Sequence, residues 1–291
     1  MTARVRRLDL RICRLRGKLR FMNERRFTES LRFSIMCGVL LSLIAPRRSW
    51  AEPLPAAIAS FNKYVAGVEV RLGSQHQSTH AFVALADSEE EIRLRQGEVI
   101  VEKLTTAGSG NLPGALLHHW RGTAFAPGVT AAEFERMLRD FKEYPQRFAP
   151  EVLQAKVLSE QGDRMQASMR VRQKHVLTVV MDTTYDVTFG RLDAKDGYST
   201  SRSTRIYEID APGTSHERAL SAADEHGFLW RINTYWTYAE RDGGLYLQIE
   251  SVTLSRSIPT GLGWAVRPFV ESVPKESLEF TLQAVCKGLG K

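Results

Sequence analysis

The sequence predicts an α+β protein, with an antiparallel β-sheet, a long helix at the C-terminus and an extra helix near the N-terminus. Two observations lead to this class. Between residues 152 and 256, apolar residues alternate with polar ones, which is typical of strands that place one face against a core. On both sides of that stretch the apolar spacing is helical. The strands follow one another through short turns, which favours antiparallel hairpins over parallel crossovers.

The first 51 residues are predicted to be a signal peptide. They hold 13 of the 40 Lys and Arg residues and 3 of the 33 Asp and Glu residues, so the rest of the chain carries a net charge of −3. The 13 uncharged residues Phe33–Ala45 are too few to span a bilayer and match a signal-peptide hydrophobic region. Ser49 and Ala51 are small residues at positions −3 and −1 of a cleavage site. We therefore expect an exported, periplasmic protein that begins at Glu52. An uncleaved membrane anchor and a true start at Met22 are the alternatives.

The composition of the remaining chain argues against several classes of function. A net charge of −3 lacks the cationic surface that nucleic-acid binding needs, so no nucleic acid is expected as a partner. Cleavage after Ala51 would leave Cys286 alone, which rules out an internal disulfide and a thiolate metal site. The chain contains no Walker loop, H-E-x-x-H or G-x-S-x-G motif. We therefore expect neither a cofactor nor a metal ion.

Before residue 130 the sequence predicts one helix and two strands. Apolar residues at helical spacing indicate an amphipathic helix from Leu54 to about Leu72. A short strand is predicted at Val99–Val101 and a longer one at Leu116–Phe125. Because turn residues are dense between these strands, the boundary is placed there. Residues 52–112 then form an N-terminal extension of helix and short strand, and residues 113–291 form the main domain.

The clearest helix of the chain begins after Thr130. Thr130 and Glu133 match a capping box, in which each side chain accepts a hydrogen bond from the other residue's backbone. Residues three and four apart give the helix one apolar face: Phe134, Met137, Leu138 and Phe141. We expect Tyr144-Pro145 to end this helix, because the residue before a proline disfavours helical backbone.

After that helix the apolar period changes from 3.6 to 2, which predicts a run of strands. They are Val152–Ser159, Met165–Lys174, Val176–Phe189, Tyr198–Ile209, Phe228–Glu240 and Leu245–Arg256. The last part, from Leu262 to Leu289, is helical, with Pro274 as the expected first residue of its main helix. Its apolar stripe is formed by Leu278, Leu282, Val285 and Leu289. The sheet must bury one face, and this helix is the only large apolar element that remains to cover it.

The segment Phe134–Pro145, the run of strands, and Ser255–Pro259 followed by a helix with Glu276-Ser277-Leu278 together resemble the START-like superfamily. This helix-grip, SRPBCC-type superfamily includes polyketide cyclases and lipid-transfer domains. The resemblance covers residues 113–291 and leaves the N-terminal helix outside. It implies a curved sheet wrapped around the last helix, with a cavity between them for a hydrophobic or lipid-like molecule. Since the superfamily holds binders, transfer proteins and enzymes, it does not imply one chemistry.

The candidate ligand-binding residues lie on three predicted strands. They are His118, Trp120, Trp230, Arg231, Asn233, Tyr235, Trp236 and Glu250. Neighbouring strand residues point to opposite faces, so His118 is expected inside with Leu116 and Trp120, and His119 outside. A structural role is the favoured interpretation of both histidines.

The predicted strand from Phe228 is rich in aromatic residues, and its alternation places four of them and one isoleucine on one face: Phe228, Trp230, Ile232, Trp236 and Tyr238. In a helix-grip fold such a strip forms both core and cavity wall. Arg231 and Glu250 lie on the two arms of one hairpin, and pairing between them is the structural interpretation. A pocket that uses Arg231 or Asn233 to orient a polar head group is the functional one.

Three hypotheses follow for the function. The first is an exported binder or carrier of a hydrophobic or lipid-like molecule, without catalysis and with contact to membrane surfaces. The second is a cyclase- or hydrolase-like enzyme that uses His118, Arg231, Tyr235 and Glu250 for proton transfer. The third is a structural or interaction protein of the envelope with a filled cavity. An open cavity separates the first two from the third, and titratable groups clustered in that cavity separate the second from the first.

Overall fold

The computed structural model describes residues 52–78, 81–85, 87–104, 112–174, 178–258 and 263–290, and of residues 263–271 it describes the backbone only. The predicted signal peptide, residues 1–51, lies outside the described residues, as do Val176 and Leu177 at the start of a predicted strand. The described residues belong to one compact unit. Within them, no helix combines the length and the apolar character that crossing a membrane requires.

A nine-stranded antiparallel sheet dominates the fold. Its strands are β1 Ile100–Lys103, β2 Ala115–Pro127, β3 Val152–Gln161, β4 Arg164–Lys174, β5 Thr178–Arg191, β6 Asp196–Asp210, β7 Arg218–Ala219, β8 Arg231–Arg241 and β9 Gly244–Arg256. The order across the sheet is β1-β2-β9-β8-β6-β5-β4-β3, and the short β7 pairs with β6. Register shifts in the β3–β4 and β5–β6 pairs add local bends, and the sheet is curved.

Five helices accompany the sheet. They are α1 Pro55–Gln75, α2 Ser88–Arg95, α3 Ala131–Arg139, α4 Tyr144–Arg147 and α5 Gly263–Leu289, with a 3-10 turn at Phe141–Glu143. The helix predicted at Leu54–Leu72 is confirmed as α1. The predicted capping box is confirmed at the start of α3 by reciprocal bonds between Thr130 and Glu133.

Both proline predictions are wrong. The helix α3 ends at Arg139, and Tyr144-Pro145 begins α4, because the first turn of a helix does not need the N–H that proline lacks. Phe141 consequently lies in the 3-10 turn and not on α3. Pro274 lies in the interior of the continuous helix α5 and is not the first residue of a helix.

The hairpin between β8 and β9 follows its turn chemistry. Arg241 pairs with Gly244, so two residues, Asp242 and Gly243, make the turn. Both have positive φ, 57° and 76°. An Asp-Gly pair favours this two-residue turn, because asparagine, aspartate and glycine tolerate left-handed backbone better than other residues. The short turn holds β8 and β9 in register along their whole length.

Both faces of the sheet are covered. The face called inner here packs on α3 and α5, and the predicted stripe of α5 is confirmed, with Leu278, Leu282 and Val285 buried. The outer face packs on the apolar stripe of α1, so the expectation that the C-terminal helix is the only cover is wrong. This second core contains Ala57, Phe61, Val65, Val68 and Leu72 of α1 with Ala115, Leu117, Trp230, Tyr235, Val252 and Leu254.

The physical reason for the second layer is the sequence of β9 itself. Val252 and Leu254 point to the outer face and are fully buried, so that face has an apolar surface of its own at this end. A helix with one apolar stripe lowers the free energy of the fold by covering it. The fold is therefore α+β, with a curved antiparallel sheet wrapped around the C-terminal helix and an N-terminal helix on the opposite face.

Candidate functional site

The burial and polarity of the inner-face residues change along β8 and β9. Near the β8–β9 turn it is fully packed under α3 and α5 by large apolar residues: Trp236, Tyr238, Leu245, Leu247 and Ile249. Further from the turn, the residues that point to the same face are Thr234, Ile232, Ser251 and Thr253, and all four are half-buried. Fully buried apolar residues therefore give way partway along the strands to half-buried ones, and three of these four carry hydroxyls.

Strand register assembles these residues into two adjacent rows. In antiparallel pairs, residues directly opposite one another point to the same face. Ser251 lies opposite both Trp120 and Thr234, and Thr234 lies opposite Ser201. Thr253 lies opposite both His118 and Ile232. We call these seven residues the inner-face patch: His118, Trp120, Ser201, Ile232, Thr234, Ser251 and Thr253.

On β8 and β9 the patch residues are more exposed than the outer-face residues that alternate with them. Asn233, Tyr235, Val252 and Leu254 alternate with the patch residues along the same two strands, and all four are buried beneath α1. The patch residues between them on β8 and β9 are half-buried. At this end the inner-face residues of β8 and β9 are thus more exposed than the outer-face residues that alternate with them.

The patch combines apolar surface with hydrogen-bonding groups. Its serine and threonine hydroxyls each donate and accept hydrogen bonds without carrying charge. The indole N–H of Trp120 is shielded from solvent and has no hydrogen-bond partner among the described residues. The Lys103 ammonium lies 5.9 Å from the centroid of the Trp120 ring. An amphipathic molecule with one or more oxygen atoms matches this lining.

The structure divides the eight candidate residues between the two faces. His118, Trp120 and Trp236 lie on the inner face. Trp236 is part of the packed core, where its ring meets Phe134 edge-on at 5.2 Å, so it fills space at the packed end. Of the eight, only His118 and Trp120 belong to the inner-face patch.

The expected placement of Trp230 and Phe228 beside Trp236 is wrong. Trp230 is buried in the outer core against α1, and Phe228 is 44% exposed. Strand β8 begins only at Arg231, so the strict alternation on which the prediction rested does not extend to these two residues. The aromatic strip is therefore shorter than the sequence indicated.

Glu250 lies on the outer face, at the centre of a buried ion cluster. Its side chain is 2% exposed. One carboxylate oxygen accepts hydrogen bonds from Nε and Nη2 of Arg121, at 3.0 and 2.9 Å. The other accepts one from Arg71 of α1 and pairs with Nε2 of His119 at 2.9 Å. Tyr64 of α1 in turn hydrogen-bonds Nδ1 of His119 at 2.8 Å.

The predicted pairing of Arg231 with Glu250 is wrong. Tyr235 lies opposite Glu250 across the hairpin, whereas Arg231 lies opposite Leu254 and donates to the carbonyl of Trp230 at 2.7 Å. Burial alone raises the pKa of Glu250. The hydrogen bond from His119 and the charges of Arg121 and Arg71 outweigh that effect and lower the pKa to about 2. Glu250 is therefore a permanent anion that holds elements together and is unsuited to proton transfer near neutral pH.

Asn233 and Tyr235 are also engaged with α1. The Tyr235 hydroxyl donates to Glu69 of α1 at 3.0 Å, and the Asn233 amide donates to the Tyr235 hydroxyl at 3.2 Å. Arg202 of β6 donates to the same Glu69 oxygen at 2.7 Å. Burial raises the pKa of Tyr235. Sequence reasoning missed this role, although Glu69 and Arg71 flank the apolar stripe of α1 and were the available signal.

The four residues proposed for proton transfer do not form one site. His118 lies on the inner face, and Tyr235 and Glu250 lie on the outer face beneath α1. The sheet separates these groups, so one ligand cannot contact His118 and Glu250 together. Among the described residues there is no group of three or more His, Cys, Asp or Glu side chains that could hold a metal ion.

Two other features lie away from the patch. A depression of about 240 Å³ lies beside the β8–β9 turn, lined by turn residues that include Gly128, Lys195 and Asp242. It lies at the packed end, far along the strands from the hydroxyl rows. Cys286 of α5 is half-buried, and burial raises the pKa of its thiol to about 11, so it is an unreactive packed thiol at neutral pH.

Comparison with known proteins found similarity among solved structures. No family model and no curated protein matches the chain. The chain is similar to a STAR-related lipid transfer protein from Xanthomonas axonopodis, at 16% identity over 66% of this chain and 99% of that one, with a TM-score of 0.40. It is also similar to the Zhui aromatase/cyclase from Streptomyces sp. R1128, at 14% identity over 60% and 93% of the two chains, with a TM-score of 0.44. It is also similar to human STARD10, at 12% identity over 70% of this chain and 82% of that one, with a TM-score of 0.40.

Proposed function

We propose that the protein binds or carries a hydrophobic or lipid-like small molecule in the space between the inner-face patch and α5, without catalysis. The single observation that carries this proposal is the change along β8 and β9 from packed apolar residues to half-buried hydroxyls. A sheet face that served only to pack against α5 would continue its apolar alternation, because each buried apolar side chain adds to stability.

A ligand with an apolar body and a few oxygen atoms suits this part of the inner face. Its body would remove Ile232 and the ring of Trp120 from water, and its oxygens would exchange hydrogen bonds with Thr234, Ser251 and Thr253. Ligand sites in proteins commonly combine apolar walls with a few polar groups that fix orientation.

We further propose that the protein is exported and meets its ligand in the envelope, next to membrane surfaces. The support for this part is the uncharged run Phe33–Ala45 and the small residues at the expected cleavage site. A carrier located there would have access to lipids and other water-insoluble molecules.

The test begins with native mass spectrometry and solvent extraction of the purified protein, followed by displacement of the neutral dye Nile red. Ser251→Trp places a large ring in the patch and should weaken binding by about tenfold or more, equivalent to at least ~1.4 kcal/mol. Ser159→Trp is the matched control, because Ser159 is an exposed strand residue on β3. It should leave binding within about twofold, since surface changes of this kind have small effects.

Two results would contradict the proposal. Absence of saturable binding across fatty acids, phospholipids, isoprenoids and polycyclic aromatics would exclude the binder and favour the envelope structural protein. Turnover of a bound ligand, abolished by His118→Ala, would show an enzyme instead.

A further inference from the structure

Resting on the function proposed above, we infer that the ligand carries an acidic, oxygen-bearing head group, which binds between Lys103 and Trp120 at the edge of the inner-face patch. Both residues lie at the β1–β2 edge of the sheet. Lys103 is the last residue of β1 and lies directly opposite Trp120 of β2, so the two side chains point to the inner face together.

Lys103 is an exposed cation that has no counter-charge among the residues that the structure describes. Its ammonium lies 5.9 Å from the centroid of the Trp120 ring, and it forms no ion pair with any carboxylate that the structure describes. Arg121, the neighbouring cation on the outer face, forms ion pairs with both Glu102 and Glu250. The sequence therefore neutralises one cation of this strand pair and leaves the other available on the ligand-binding side.

Trp120 adds a directional donor next to that cation. Its indole N–H is shielded from solvent and has no hydrogen-bond partner among the described residues. A shielded donor without an acceptor is unfavourable, so an acceptor that arrives with a ligand gains from both the new bond and the removal of this deficit. A neighbouring ammonium makes an anionic oxygen the preferred acceptor.

The two groups together define the head-group chemistry. A carboxylate has two oxygens, so one accepts from the indole N–H while the other approaches the ammonium. A phosphate monoester shares this chemistry. A neutral alcohol satisfies the indole N–H but leaves the ammonium without a partner. The remaining patch residues, with their uncharged hydroxyls, then contact the body of the ligand under α5.

Lys103 belongs to β1, so the N-terminal extension provides the cation of the proposed head-group site. Val101 of the same strand packs into the inner core, which fixes the direction of β1 and so places Lys103 on the inner face two residues later. The extension, which lies outside the resemblance to the START-like superfamily, thus supplies the residue that selects the head group.

The experiment compares three ligands of equal chain length by displacement of Nile red from the full chain: hexadecanoic acid, hexadecyl phosphate and hexadecan-1-ol. We expect the two acids to bind about tenfold or more tightly than the alcohol, as a charge-assisted hydrogen bond implies. Lys103→Gln should remove most of that difference and leave the alcohol unchanged. Lys156→Gln is the matched control, because Lys156 is an exposed strand residue on β3; it should change none of the three affinities.

A second readout tests Trp120 directly. The indole N–H resonance of Trp120 should shift downfield on addition of hexadecanoic acid, and Trp120→Phe should weaken all three ligands because each oxygen loses its donor. The ranking of acid and phosphate identifies which acidic head group is preferred.

If the alcohol binds as tightly as the acids and Lys103→Gln changes nothing, the head-group inference is wrong and the proposed function stands. If none of the three ligands displaces Nile red while another hydrophobic ligand does, this inference is wrong and the proposed function stands.

Discussion

At the scale of single residues, the most informative side chain is Glu250. In the sequence it is one acidic residue in a strand, and its partners cannot be identified. In the structure, Arg71 of α1 reaches it across a separation of 179 residues, and His119 and Arg121 reach it from the neighbouring strand. These partners convert a costly buried charge into a link between the N-terminal helix and the sheet.

The residue-scale prediction concerns this carboxylate. Glu250→Gln removes the anion and leaves the positive charges of Arg121 and Arg71 without it, so it should lower the free energy of unfolding by about 3–5 kcal/mol. Urea unfolding followed by circular dichroism measures this change. The matched control is Glu102→Gln, since Glu102 pairs with the same Arg121 at 3.3 Å but is 50% exposed. The control should cost at most about 1 kcal/mol. Equal effects of the two variants would refute the cluster's role.

At the scale of elements, helix α1 has a role that its sequence position conceals. It precedes the region that resembles a known superfamily, and nothing in its own pattern says which surface it covers. Its apolar stripe and the outward-facing residues of β2, β8 and β9 form one continuous core. Its polar residues Tyr64, Glu69 and Arg71 bind strand side chains beside that core. The helix is therefore a full layer of the fold.

The element-scale prediction tests that layer with two residues of α1. Phe61 is 2% exposed in the outer core, and Phe61→Ala should lower the free energy of unfolding by about 3–5 kcal/mol, as for other large buried side chains. Val70 is 72% exposed on the same helix, and Val70→Ala should change it by less than about 0.5 kcal/mol. Thermal or urea unfolding gives both values. If Phe61→Ala were no more destabilising than Val70→Ala, α1 would not be docked on the sheet in solution.

At the scale of the whole molecule, the two faces of one sheet have different tasks. The outer face is closed by α1, with apolar packing and satisfied ion pairs. Near the β8–β9 turn the inner face packs against α3 and α5, and further away its described residues include half-buried hydroxyls. This asymmetry is the physical basis of the proposed ligand site, because a stable outer face lets the inner face leave part of its surface unpacked.

The whole-molecule prediction concerns the maturation of the chain. We expect the mature protein to begin at or near Glu52 in the envelope fraction, because the run Phe33–Ala45 and the small residues that follow it match a cleaved signal peptide. Amino-terminal sequencing of the purified protein measures this. A control in which Ala51→Arg blocks the cleavage site should retain the leader and remain membrane-bound. Recovery of a soluble cytoplasmic protein that retains Met1 or Met22 would contradict export.

Local sequence patterns were sufficient to predict most elements and the fold class. The period-2 pattern located the strands, and Thr130 and Glu133 marked the start of a helix, because these features depend on a few neighbouring residues. The same alternation correctly separated His118 from His119. Local rules failed where a neighbour in space decided the outcome, as with Pro274 inside a continuous helix and Trp230 beyond the end of its strand.

Which residues act together depends on contacts between segments that are distant in the chain. The sequence named His118, Trp120, Asn233, Tyr235 and Glu250 as candidate ligand-binding residues, and in the structure they lie on two faces of the sheet. The physical reason is that a strand's alternation distinguishes two faces but does not say what covers either one. That choice depends on α1, whose stripe lies more than 100 residues before β8 and β9 in the chain and meets them only in the folded protein.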